Sequence, residues 1–353
     1  MATPNINSSS LSASQIRNEF GESEDNNQVS LGNYRLGEFD VGELTNLPLD
    51  EGIPRSGAIS MSDFSNKSLN VIVKMPSGSY HVNAKTEYNN NNITIVKPEK
   101  SSKGKKQGGS KIIIFCNKKL GAVSPSGSGN IESRVTQNQC ALRTGTWSNP
   151  THVHVILGEE ANVRGSGGKG GDGKSNNSGS AQSGADGTSG LGIQHEGTLI
   201  TLRSGAQLVR GSGGGGGGGH ATETSKNTRH ASGGGGGGGA GFPDGAGGEP
   251  GTHGSDGEHG EASNETTGGE GGEGGNNDNE AFGGAGGNGG SVNSGNGDGA
   301  SGGSGNGRGE GESEGGAGGE GGAAIRKSSS SITFTIVSNS GTITGATDRT
   351  GVQ

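Results

Sequence analysis

The chain has 353 residues, of which 81 are Gly, while 24% are hydrophobic and 3% aromatic. An ordinary globular domain is roughly 45–50% apolar, so a single conventional core along the whole length is excluded. A net charge of −8 also excludes general attraction to nucleic acid.

Residues 1–67 predict a small module. The opening Met1-Ala2-Thr3-Pro4-Asn5-Ile6-Asn7-Ser8 has neither a basic end nor an apolar stretch, so no signal peptide is expected. No run of 18 apolar residues occurs, so no membrane span is expected either. A short helix is expected from Ser14 through Phe20, stopped by Gly21. Val29-Ser30-Leu31-Gly32-Asn33-Tyr34 and Ile59-Ser60-Met61-Ser62-Asp63-Phe64 then echo each other as apolar-Ser-apolar-x-Asn/Asp-aromatic. Such compact anchors suit docking onto a larger surface, the alternative being a small irregular domain. The candidate docking residues are Phe20, Leu31, Tyr34, Met61 and Phe64.

Residues 68–164 read as a modest, β-sandwich-like domain. Leu69–Val73, Ile93–Val96, Ile112–Phe115 and Val153–Ile156 are β-branched runs bounded by Gly, Pro and Asn. Lys97, Lys100, Lys103, Lys105, Lys106 and Lys111 form a basic hairpin tip, suited to an anionic lipopolysaccharide or an acidic neighbour, or simply solvated. Cys116 and Cys140 are too few for a disulfide framework and are expected as buried thiols. His152 and His154 share a strand face and on a threefold axis could bind a transition metal. One chain offers two of about four ligands, so the pair is only a weak metal candidate and exposed strand histidines are expected there.

A repeat links this domain to the glycine-rich block. Val153–Ile156 runs to Val163-Arg164-Gly165, Leu199–Leu202 to Leu208-Val209-Arg210-Gly211, and Phe334–Val337 to Ile343-Thr344-Gly345. The expectation is a set of stacked hairpins that fixes the angle at which the chain enters the glycine-rich block.

Residues 165–322 contain 63 of the glycines. Side chains fall every third residue: Ser166, Lys169 and Asp172; Glu270, Glu273 and Asn276; Ala285, Asn288 and Ser291; Ala317, Glu320 and Ala323. That period matches a left-handed helix of the polyproline II type, here polyglycine II, with one decorated edge and two bare ones. Bare edges let neighbouring backbones pair N–H with C=O. Gly213–Gly219 and Gly233–Gly239 carry no side chain and suit the middle of such a bundle. A flexible Gly/Ser linker is the alternative, but it does not explain the phase. Long polar loops are expected at His220–Ser232 and His253–Thr267, with a tight turn at Phe242-Pro243-Asp244 at the opposite end. Rigid scaffolds present binding residues on such loops, the alternative being solvated connectors with no ligand. The candidates are His220, Lys226, Asn227, Arg229, His230, His253, Asp256, Glu258 and His259. Residues 323–353 are expected as a closing β segment.

Gly168–Ser175 fits G-x-x-x-x-G-K-S, but a phosphate loop needs a helix directly after it, and Asn176-Asn177-Ser178-Gly179-Ser180 is poor helix sequence. No nucleophile–base or paired-carboxylate arrangement stands out, so no enzyme and no cofactor are expected.

Ala141-Leu142-Arg143-Thr144-Gly145-Thr146-Trp147, the strand leading into Gly165–Gly173, the all-Gly and GGAGG blocks and Gly341–Gly345 together resemble the glycine-rich tail-fibre proteins of tailed bacteriophages. Ser14-Gln15-Ile16, Glu19-Phe20-Gly21 and Gly52-Ile53-Pro54 with Ile59-Ser60 look like modules of phage virion proteins. The best-understood members of that family are distal adhesins. The resemblance implies an N-terminal domain attached to other fibre proteins, a packed set of polyglycine II helices, and far-end loops that contact the host. It further implies an outer-membrane protein or surface polysaccharide as receptor and a place at the distal end of the tail fibre; from the charge no nucleic-acid partner is expected, and homo-oligomerisation is an option. The inserted Lys-rich segment and the N-terminal module depart from the family pattern. A purely structural, self-associating fibre protein is the alternative; an ice-binding polyglycine protein fits less well because the decorated edges are rich in Glu.

Overall fold

The computed structural model describes residues 12, 58–64, 70–76, 78–90, 93–96, 111–126, 129–147, 152–224, 228–277, 280–307 and 309–352. The helix expected at Ser14–Phe20, the first echoing segment with Leu31 and Tyr34, the lysines from Lys97 to Lys106, and Lys226 and Asn227 lie outside these residues. In the second echo, Met61–Phe64 makes a short 3-10 turn, with the Ser60 N–H donating to the Asp63 carboxylate at 2.7 Å. Ile59 and Met61 pack against this chain's own main core.

The protein is mainly β. Strands β1 (Asn70–Lys74), β2 (Val82–Asn83) and β3 (Ile93–Val96) come first, with helix α1 (Ala84–Asn89) before β3. Helix α1 starts where the Asn83 side chain accepts from the Lys85 and Thr86 N–H groups, an ordinary N-cap. Next come β4 (Lys111–Cys116), β5 (Lys119–Leu120), β6 (Cys140–Arg143), β7 (His152–Leu157), β8 (Asn162–Arg164) and β9 (Ser189–Ile193). They are followed by β10 (Thr198–Leu202), β11 (Gln207–Val209), β12 (Ala221–Glu223), β13 (Arg229–Ala231), β14 (Asn276–Asn277) and β15 (Ala281–Phe282). The last are β16 (Asn306–Gly307), β17 (Gly309–Glu312), β18 (Ile325–Lys327), β19 (Phe334–Asn339), β20 (Thr342–Thr344) and β21 (Arg349–Thr350).

Three sheets run in the orders β19-β10-β7-β4-β1-β3, β20-β11-β8-β5 and β21-β18-β9-β6-β2. Apart from β3, antiparallel to β1, their pairings are parallel. The chain visits the sheets in rotation, so β4-β5-β6, β7-β8-β9, β10-β11-β18 and β19-β20-β21 are successive turns of a three-sided coil. The three repeats are therefore parallel turns and not stacked hairpins. Strands from 68–164 and from 323–353 also share sheets, which replaces the sandwich-like arrangement. Short β-branched runs look alike in both designs; the long stretches between repeats are what parallel crossovers require.

Side chains aligned by this register fill the interior. One stack is Val73, Ile114, Val155, Ile200 and Ile336; a second is Leu120, Val163, Leu208 and Ile343; a third is Leu142, Leu191 and Ile325. Of these, Ile336 and Ile343, on the last turn, are the partly buried ones. Cys116 and Cys140 are buried, free thiols that burial pushes up to about 11 and about 12.

Ten glycine-rich rods leave this coil between its second and third sheets. They are r1 (165–174), r2 (181–188), r3 (211–219), r4 (233–240), r5 (245–251), r6 (255–262), r7 (268–275), r8 (283–291), r9 (297–305) and r10 (313–322). Odd-numbered rods run away from the coil and even-numbered rods return. Hydrogen bonds recur at every third residue. In r3, the N–H groups of Ser212, Gly215 and Gly218 donate to r4, those of Gly211, Gly214 and Gly217 to r2, and those of Gly213, Gly216 and Gly219 to r9. Its carbonyls accept in the same rotation from r1, r8 and r10. Rod r3 thus has six neighbours, and r4 likewise pairs with r1, r3, r5, r6, r7 and r8. The other eight rods close a ring around these two. Both all-Gly runs are central, as expected from their lack of side chains, and every residue in them is buried. Glu270, Glu273, Ala285, Asn288, Ala317 and Glu320 face outward and are exposed.

The coil sets the phase of the rods. The β8–β11 ladder continues through the Gly165 N–H on the Val209 carbonyl into Gly168 on Ser212 and Gly171 on Gly215, all at 2.8–2.9 Å. On the returning side, Gly187 on Glu320 and Gly184 on Ala317 lead into the β9–β18 ladder.

Candidate functional site

The rods have two ends of different character. At the coil end, turns 241–244, 263–267 and 292–296 are tied down. Arg164, buried behind β8, donates to the Asn162 and Gln207 side chains and to the Glu265 carbonyl. Arg210, buried behind β11, donates to the carbonyls of Val292, Ser294 and Gly295 at 2.9–3.1 Å. Both arginines hold guanidinium groups that burial pulls below their ordinary range. Lys119 pairs with the Glu265 carboxylate and lies 3.7 Å over the Phe242 ring. Phe242-Pro243-Asp244 is the expected tight turn, joined by a cis peptide at Pro243.

At the far end, five connections meet. Strands β13-β12-β17 form one small sheet and β14-β15-β16 another, over a cluster of Ala221, Ala231 and Ala281. Arg229 pairs with Glu280 at 2.8 Å, and Phe282 stands 40% exposed on β15. His220 and His230, both in the r3–r4 connection, converge with His253 from the r5–r6 connection, with ring centroids 5.5, 6.0 and 4.3 Å apart. His220 is buried and held down to about 4, first by burial and then by the charges of His230 and His253. His230 is lowered by burial and by His253. The His220 Nδ1 bonds the Asn177 side-chain oxygen, while the His230 Nδ1 lies 3.2 Å from the Thr222 hydroxyl.

The expected loop residues therefore separate. His220, Arg229, His230 and His253 come together at the far end. Asp256, Glu258 and His259 do not: 253–267 is not one loop but a short turn, rod r6 and a coil-end turn. All three are exposed on r6 along the side of the bundle, where His259 Nδ1 meets Glu249 at 3.2 Å. Glycines at 257 and 260 are the signal that marks this rod; both face r4 and must be bare. Sequence reasoning also missed Asn177, Thr222, Glu280 and Phe282. Asn177 and Thr222 reach the site only through folding, whereas Phe282 was visible as a lone aromatic in a glycine-rich run.

His152 is exposed, and His154 is buried, bonded to the Thr201 hydroxyl at 2.9 Å and held at about 4 by burial and then by Lys111. The pair expected on one face thus has one open member. Gly168–Ser175 lies in and just beyond r1, and no helix succeeds it. A cleft of about 500 Å³ lies between residues 134–138 and rods r2 and r10. Arg134 there donates to the Ser183 and Gly184 carbonyls, and Gln137 to Glu320 at 2.7 Å, so the cleft is a seam whose polar groups serve one another. Among the described residues no helix is long and apolar enough to cross a membrane, and no three His, Cys, Asp or Glu side chains stand as a preformed metal-ligand set. Comparison of the chain with protein-family models, curated proteins and solved structures finds no match.

Proposed function

We propose that the chain is a tail-fibre adhesin whose rods are polyglycine II helices and whose far-end connections recognise the host surface. One observation carries this reading: the side-chain-rich connections gather at the free end of the bundle, while the coil-end turns are held by Arg164, Arg210 and Lys119. A backbone-bonded lattice keeps those connections in fixed relative positions, which lowers the ordering cost of binding. Phe282 offers an exposed aromatic anchor beside the Arg229–Glu280 pair and the histidines, a combination suited to a polar protein loop or a glycan. The resemblance to phage fibre proteins supplies the setting: attachment to other fibre proteins through residues 1–67, the distal end of the tail fibre, and an outer-membrane protein or surface polysaccharide as receptor.

The test is binding of the labelled full-length protein to a panel of bacterial cells, with and without Phe282→Ala and Arg229→Ala combined. Adsorption lost at least tenfold, with amide protection of the rods retained, supports the proposal. Adsorption unchanged in the variant overturns it, and self-assembly without any cell binding favours the structural alternative.

A further inference from the structure

Three imidazoles bound tetrahedrally to one ion at about 2.0–2.1 Å place their ring centroids about 5 Å apart. Those of His220, His230 and His253 are 5.5, 6.0 and 4.3 Å apart, which brackets that spacing. On His220 and His230 one ring nitrogen is already engaged. The Asn177 oxygen accepts only, so the His220 Nδ1 carries the proton and Nε2 keeps the lone pair. That Nε2 is buried in a residue only 1% exposed and has no hydrogen-bond partner. An unmet buried acceptor is costly, and an imidazole fixed through its other nitrogen is what metal sites present. The His230 Nδ1 lies within hydrogen-bond reach of the Thr222 hydroxyl, which is itself bonded to Asn177 at 2.8 Å.

His253 is brought in by its backbone. Its N–H donates to the Ser232 hydroxyl at 2.7 Å, the hydroxyl donates back to the His253 carbonyl at 2.9 Å, and the Ser255 N–H donates to the His230 carbonyl at 2.9 Å. Gly254, at φ +80°, sits where any Cβ would strike the His230 carbonyl, so only glycine lets this turn close on β13. The His253 side chain itself is exposed and stands edge-on to the His230 ring.

We infer that His220, His230 and His253 bind one late first-row transition-metal ion, of the Zn²⁺ class, once His253 rotates inward to complete the set. Imidazole donors suit Zn²⁺, Ni²⁺ and Cu²⁺, and the fourth position stays open to water or to a donor from a bound surface. The ion would join the r3–r4 and r5–r6 connections into one unit. This inference stands apart from the adhesin reading, since its readout is metal uptake alone.

The experiment titrates the untagged, metal-stripped full-length protein with ZnCl₂ at pH 7.5 by calorimetry, with the Co²⁺ absorption spectrum as a second readout. One ion per chain is expected, together with tetrahedral Co²⁺ bands. Because His253 is exposed, His253→Ala leaves the fold intact, and it should weaken binding at least tenfold and abolish those bands. His152→Ala with His259→Ala should change neither. No uptake, or uptake unaffected by His253→Ala, overturns the inference.

Discussion

At the scale of single residues, glycine here acts through what it lacks. In r3 a Cβ on Gly216 would overlap the Gly316 carbonyl oxygen, and on Gly237 in r4 it would overlap that of Gly269. Neither neighbour can yield, because each is backbone bonded into further rods. Gly303 differs: a Cβ there would meet its nearest atom, the Ala285 nitrogen, at 3.5 Å, an ordinary contact. Gly216→Ala should therefore cost roughly 3 kcal/mol or more, while Gly303→Ala should be close to neutral, as read from denaturant midpoints. Equal effects would mean that crowding by backbone is not what selects glycine in the centre. Much of this was legible in the sequence, since an unbroken run of seven glycines leaves no edge for solvent and the GGX runs leave one.

At the scale of elements, legibility divides between local and distant signals. β-branched runs located strands β1, β3, β4 and β7 within a residue or so, because strand preference is local. The parallel connection was hidden, since it depends on which strands meet and not on what each contains. The arginines show the same division. Val163-Arg164-Gly165 and Val209-Arg210-Gly211 were visible as a repeat, but their partners lie at Glu265 and at Val292–Gly295, far along the chain. Arg210→Met should leave one buried and two partly buried carbonyls without their charged donor, at a cost of about 2–3 kcal/mol. Hydrogen exchange should quicken in 292–296 and in the adjoining ends of r8 and r9, with the far end little changed. Uniform quickening along the rods would show that Arg210 stabilises the fold without specifically holding that turn.

At the scale of the whole molecule, coil and bundle form one hydrogen-bonded system. The parallel ladders of the coil fix which donor in r1 meets which acceptor in r3, and which in r2 meets which in r10. Nothing inside the all-Gly runs repeats that information, because one glycine is chemically the same as the next. The far-end histidines were legible as residue types in polar stretches. Their convergence was not, because it needs two separate connections to arrive at one place, and that depends on the rods having matched lengths.

Such uniform central rods measure length only in steps of three. Three glycines added to r3 would restore every donor–acceptor match one step farther out, displacing the far-end connection by about 9 Å. One or two added glycines would turn each donor toward the wrong neighbour. Thermal unfolding of the +1, +2 and +3 insertions should consequently be non-monotonic, with the longest the most stable of the three. The bundle can thus grow or shorten in whole triplets while its attachment to the coil stays where it is.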